Sequence, residues 1–142
     1  MAAVDPITVL QSAILQFTRN SRKQVAYTTI GGSFVAAAVL SYIANTQDPT
    51  ATSLAEAYGL DKSTVSRQLA ELEAQGLVRR SRHPSRPRTQ DLHVTAKGKR
   101  ALVTAVEKHR LALKQTLAKW SAKDVAAFGT LLARYVEATD PS

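Results

Sequence analysis

The chain of 142 residues contains no cysteine. That excludes disulfides, thiolate metal sites and a thiol-based redox switch. Aromatic residues make up only 6%, with a single tryptophan. Acids are scarce as well: eleven Asp and Glu against nineteen Lys and Arg leave a formal charge of +8. Acids spread this thinly supply few candidate general bases. No nucleophile stands in a recognisable elbow and no Gly-rich loop is built to cradle phosphate, so neither catalysis nor a cofactor is expected. His83, His93 and His109 are far apart, with no acid or cysteine at a ligand spacing, so no metal site is expected either. The apolar run at residues 34–43 is too short to span a bilayer, and the first residues carry no basic leader. The expectation is a cytoplasmic protein with no membrane partner.

What is present is a hydrophobic content of 44%, enough for one domain with a modest core. The positive charge is localised. Arg79, Arg80, Arg82, Arg86, Arg88, Lys97, Lys99 and Arg100 crowd into residues 79–100, where Asp91 is the only acid. Such a block is the electrostatic footprint of a polyanion partner, although a solvated basic loop looks the same in isolation.

Periodicity supplies the context. Ile7, Leu10, Ile14 and Phe17, and then Val25, recur at helical spacing behind Asp5-Pro6, predicting a helix over residues 7–22. A second helix over 33–44 follows Gly31-Gly32 with Ser33 as cap, and is apolar nearly all round, hence central. Residues 45–50, containing Asp48-Pro49, read as a turn. A short helix over 52–58, capped by Ser53 or Thr52, stops at Gly59. Asp61 then caps a helix over 62–75 whose Val65, Leu69 and Leu72 face inward, and Gly76 terminates it. Residues 77–80 and 92–94 read as paired strands around a proline-bearing tip at 84–89. A long amphipathic helix spans 98–119, with Leu102, Val106, Leu113 and Leu117 as its stripe, broadened by Ala105 and His109. After Trp120-Ser121 a last helix covers 124–138. The fold class is mainly α (α+β): four helices, a two-stranded hairpin and two more helices.

Two short helices in tandem, a glycine stop and a basic hairpin form a specific arrangement. The first helix braces the second, whose exposed N-terminal face can enter the major groove of DNA. With Val65, Leu69 and Leu72 inward, Lys62, Ser63, Ser66 and Arg67 point outward, flanked by Thr64 and Gln68. Short hydroxyls let the backbone approach phosphates and base edges, and arginine can pair with both guanine O6 and N7.

The run Leu54-Ala55, Gly59-Leu60, Ser63-Thr64-Val65-Ser66-Arg67, Leu69, Leu72-Glu73, Gly76-Leu77-Val78-Arg79-Arg80 resembles the helix-turn-helix core of the MarR-type transcriptional regulators. Val94-Thr95-Ala96-Lys97-Gly98 resembles the segment by which that family leaves its wing. The resemblance is detailed over residues 53–98 and architectural over 7–44 and 99–138. It implies a winged helix-turn-helix lobe at 45–97, with the wing at 79–88, and a helical dimerisation region at 1–44 and 98–142. It further implies a homodimeric, DNA-binding regulator, a repressor by expectation, acting on a pseudo-palindromic site. Release by a small aromatic or phenolic effector is a further implication; Arg19, Tyr27, Tyr42 and Trp120 are positioned to line its pocket, although core packing explains the aromatics equally well. The DNA-binding set so implied is Lys62, Ser63, Thr64, Ser66, Arg67, Gln68, Arg86 and Arg88. One departure stands out. The family's wing commonly has an Asp-x-Arg element, which falls here on Arg86-Pro87-Arg88, so the arginine is kept while the acid is replaced by Arg86. Arg88 then needs Asp91 or DNA phosphate as its partner, and is expected in the minor groove, with Arg86 on phosphate. A nonspecific or architectural nucleic-acid-binding protein is the alternative that the basic surface alone allows.

Overall fold

The computed structural model describes residues 3–23 and 34–140. Its elements in order are helix α1 (Pro6–Lys23), α2 (Phe34–Asn45), α3 (Ala51–Tyr58), α4 (Lys62–Ala74), strands β1 (Val78–Arg82) and β2 (Gln90–Val94), α5 (Ala96–Thr116) and α6 (Ala122–Thr139). Val25, Tyr27, Gly31, Gly32 and Ser33, expected to prolong α1, to line a pocket and to open α2, lie outside the described residues. The expected succession of four helices, a hairpin and two helices is what the structure has. The chain divides into two compact units, Met1–Lys108 and His109–Ser142.

The first unit holds a closed apolar core. Val39 and Leu40 of α2, Leu54 of α3 and Val65, Leu69 and Leu72 of α4 are all at most 1% exposed. Ala36 and Ile43, also of α2, and Leu77, Val78, Leu92 and Ala105 complete the cluster. Helix α2, with few polar positions, is surrounded by α3, α4 and β2. Each such side chain withdrawn from water contributes about 1.5–3 kcal/mol, so this lobe is where stability is concentrated.

Local chemistry fixes the element ends. Helix α1 starts where the Asp5 carboxylate accepts the Thr8 N–H, with Pro6 supplying a first helical residue that needs no donor. Helix α3 begins one residue earlier than expected. Thr50, not Thr52 or Ser53, is its cap; Ser53 is the reciprocal partner, each side chain accepting the other residue's N–H in a capping box. Gly59 ends α3 in the left-handed conformation.

Helix α4 runs between an Asp61 cap and Gly76 at φ 73°, as the sequence indicates. The Leu77 N–H donates to the Leu72 carbonyl across that glycine, closing the helix and turning the chain into β1.

Each strand of the hairpin reaches two residues further toward the tip than the apolar pattern suggests, and the first begins one residue later. Antiparallel pairing runs from Val78 opposite Val94 to Arg82 opposite Gln90. Its outer rungs are polar on both faces, so no hydrophobic alternation marks them. Helix α5 buries its expected stripe only at Leu102 and Ala105. Gly98 and Ala105 are buried and Ala101 and Leu102 pack against the core, while Val106 and Leu113 are exposed.

In the second unit α6 is capped by Ser121, which accepts the Asp124 N–H. Trp120 and Phe128 contact each other with ring centroids 5.6 Å apart. Beyond that contact the apolar side chains of α6 are largely uncovered: Phe128 and Leu132 are 46% exposed, Leu131 and Val136 58%. In the first unit α1 is similarly bare, with Ile7, Leu10 and Phe17 all exposed and Ile14 only half-buried.

Candidate nucleic-acid interface

The outward face of α4 is held rigidly at its first turn. Asp61 Oδ1 accepts the Thr64 N–H and the Ser63 hydroxyl, both at 2.7 Å. These hydrogen bonds, the Ser63 hydroxyl first and the Thr64 N–H next, lower the Asp61 pKa to about 2. The cap therefore stays ionised at any ordinary pH, complementing the positive end of the helix dipole. Ser63 spends its proton on Asp61 and presents acceptor lone pairs only. Lys62, Ser63, Ser66 and Arg67 are exposed on one surface, with Thr64 and Gln68 half-buried at its edges. Gln68 is turned inward more than its place in the pattern suggests: its Oε1 is buried with no hydrogen-bond partner among the described residues.

The opposite end of α4 is tied to α5 by one side chain. The Thr95 hydroxyl donates to the Gly76 carbonyl and accepts the Gly98 N–H. The Thr95 N–H donates to the Leu77 carbonyl. Gly98 is required by proximity: a Cβ there would lie 2.2 Å from the Leu77 carbonyl oxygen and 2.7 Å from Val94 Cγ1. Lys97 Nζ donates to the Gln75 carbonyl at 2.8 Å, neutralising the negative end of α4. The Thr-x-x-Gly spacing thus has a mechanical meaning. It clamps the C-terminal turn of α4 to the first turn of α5.

The basic block is less uniform than its sequence. Arg80, half-buried, is ion-paired to Glu73 on α4, which braces the first strand against that helix. Arg80 and Lys97 are therefore committed within the lobe, whereas Arg79, Arg82, Arg86, Arg88, Lys99 and Arg100 are exposed cations.

At the tip, the Thr89 N–H donates to the Arg86 carbonyl at 2.9 Å and the His83 N–H to the Thr89 carbonyl at 3.0 Å. Arg86-Pro87-Arg88-Thr89 is accordingly a β-turn with proline pre-setting its second residue. Arg88 has no positive φ, which makes the turn type I. His83 Nδ1 accepts the Ser85 N–H. A neutral imidazole then carries its proton on Nε2, so the 3.4 Å approach of Arg86 Nη2 to that atom leaves the guanidinium unspent. Asp91 does not take the place of the missing wing acid. It pairs with Ser81, one residue out of step with Arg82 and Gln90, and so lies on the other face of the hairpin.

Among the described residues no three His, Cys, Asp or Glu side chains come together as a metal site. His93 Nε2 lies 3.2 Å from the Ser81 hydroxyl, within the hairpin. Of the residues expected near an effector pocket, Tyr42 packs edge-on against Tyr58, whose hydroxyl donates to the Ala38 carbonyl. Trp120 is occupied with Phe128, and Arg19 is exposed on α1. No helix among the described residues is long and apolar enough to cross a membrane.

A helix presented behind a bracing helix, followed by a basic two-stranded hairpin, defines a winged helix-turn-helix protein. The model of the MarR family matches residues 30–88. The chain is 41% identical over 81 residues to an HTH-type transcriptional regulator of Bacillus subtilis, YxaD, the match spanning 57% of each chain. Among solved structures it is similar to the PcaV transcriptional regulator of Streptomyces coelicolor, crystallised with its natural ligand. That likeness has a TM-score of 0.69 and 23% identity, over 99% of this chain and 100% of that one. Wild-type MarR of E. coli in its apo form gives a TM-score of 0.74 at 18% identity, over 95% and 98% of the two chains. Over residues 30–88 the chain is thus similar to the MarR family, and along its length it has the fold of those regulators.

Proposed function

We propose that this protein is a sequence-specific DNA-binding transcriptional regulator, a repressor that acts as a symmetric homodimer on a pseudo-palindromic operator. The observation that carries the reading is the first-turn surface of α4, where Lys62, Ser63, Thr64, Ser66 and Arg67 stand together at the capped end of a helix whose other face is core. Exposed hydroxyls and one arginine on such a face suit base edges in the major groove. Gln68 contributes from its edge, and the wing extends the contact, with Arg88 in the minor groove and Arg86 on the phosphate backbone.

The uncovered apolar faces of α1 and α6 support the dimer. Symmetric association hides both sets and sets two α4 helices about one turn of DNA apart. Residues 45–97 then read DNA, and the helices on either side hold the two copies together. A small aromatic or phenolic acid that binds one spacing of the two lobes better than the other releases the DNA. Selection of bound duplexes from a random pool tests the reading. An enriched inverted repeat is expected, and a pool that stays random excludes it.

A further inference from the structure

Arg88 does not stand alone at the edge of the wing. A cleft of about 290 Å³ lies between the start of α3 and the hairpin, lined by Thr50 and Thr52 on one side and by Arg82, Arg88, Thr89 and Gln90 on the other. The register puts Arg82 directly opposite Gln90, so both project from the same face of the hairpin. The type I turn at Arg86–Thr89, stiffened by Pro87, brings Arg88 to the same cleft. Two exposed arginines therefore line one small space. No carboxylate lines it, and among the described residues neither arginine has an ion-pair partner. Asp91, the nearest acid in sequence, lines a separate cavity together with Asp48 and Lys99.

Like charges converging without a counter-charge repel, and a built arrangement of this kind is relieved by an anion. Arginine favours phosphate in particular, because its planar fork can donate two parallel hydrogen bonds to two oxygens. The Thr52 hydroxyl and the Gln90 amide supply further neutral donors, as a tetrahedral oxyanion with several acceptors requires. At roughly 30 Å³ per water, the cleft has room for a phosphate and its residual hydration.

We propose that Arg82 and Arg88 form a two-arginine seat for one phosphate group between the tip of the wing and the start of α3. This reassigns Arg88 from the minor groove to the backbone and adds Arg82, which the charge pattern shows only as one of a run. Through its DNA arm the proposal rests on the function proposed above. There the phosphate belongs to the duplex flanking the base pairs under α4; a free phosphate ion is the other source of the same chemistry.

The test compares wild type, Arg82→Gln, Arg88→Gln and the double variant, all checked for unchanged thermal midpoint. Each binds two short labelled duplexes of random sequence, one A·T-rich and one G·C-rich, across a salt series. Each single variant is expected to weaken binding roughly tenfold. The loss should be the same on both duplexes, and the slope of log affinity against log salt should fall by about one per protomer. The double variant should lose less than the two single losses combined, because both arginines serve one phosphate. In parallel, inorganic phosphate is titrated against chloride at matched ionic strength while the arginine Nε–H resonances are followed by NMR. Phosphate-specific movement of the Arg82 and Arg88 signals with unchanged DNA slopes assigns the seat to a free ion. Failure of wild type to bind any duplex at low salt defeats the functional reading, and the titration still decides the seat. An Arg82→Gln variant that matches wild type in both arms overturns the proposal, as does an Arg88→Gln loss confined to the A·T-rich duplex.

Discussion

Helices α4 and α6 carry comparable apolar stripes and meet opposite fates. Val65, Leu69 and Leu72 of α4 are each 1% exposed, whereas Phe128, Leu131, Leu132 and Val136 of α6 are between 46% and 58% exposed. The first stripe is closed over by α2, α3 and the hairpin of the same chain. Periodicity alone does not distinguish the two, because it reports that a face is apolar and not what covers it. The difference teaches that the winged lobe completes its own core within one copy. The terminal helices hold half of a core, and on our proposal the other half comes from a second copy.

The comparison can be broken most severely inside the lobe. Leu69→Ala should cost about 2–5 kcal/mol in denaturant unfolding, since the cavity lies among side chains that leave little room to relax. Gly98→Ala should come next, at about 1–3 kcal/mol, because a methyl group is driven into the Leu77 carbonyl and Val94. No measurable loss at Leu69 would mean that the core is looser than described, and none at Gly98 would mean the same of the clamp between α4 and α5.

The terminal helices should behave in the opposite way. Leu132→Asp should shift the stability of the lobe by no more than about 0.5 kcal/mol. The same change should halve the mass in solution, read by sedimentation. A variant that stays dimeric moves the interface elsewhere; one that unfolds the lobe denies its independence.

The smallest effect is at the cap of α4. The Asp61 pKa is lowered from 3.8 to about 2 in the folded chain. Its contribution is therefore complete above its ordinary value and lost as pH falls through about 2. Asp61→Asn keeps a capping side chain. It should lie below wild type at neutral pH and converge with it in acid, in thermal melts across that window; parallel curves would remove the cap from the account.

How much of this was legible in the sequence depends on how local the signal is. Helix α4 could be read from Asp61 to Gly76, because a cap, a stop and three inward positions all lie within its own length. The cap of α3 was obscured by three hydroxyl residues, Thr50, Thr52 and Ser53, in four positions; only the geometry assigns Thr50 as the cap and Ser53 as its partner. Ser81, Arg82, Gln90 and Asp91 carry no alternation, so the outer rungs of the hairpin were invisible. On α5 the expected stripe holds at Leu102 and Ala105 and fails at Val106 and Leu113, and the rest of the buried face is Gly98 and Ala101, small residues that let the backbone approach. The basic block was visible as charge, but its division was not. Arg80 belongs to Glu73 and Lys97 to the end of α4, pairings made across elements that no spacing in the chain reveals.

On our proposal α4 reads bases while the wing grips backbone, and relative affinity tests this most directly. Binding of the purified chain to its selected duplex and to a scrambled duplex should be compared at matched salt. A preference of about three orders of magnitude or more is predicted, persisting across the salt series. Equal affinity for the two duplexes, varying with salt alone, would contradict the account and leave a protein that holds DNA without reading it.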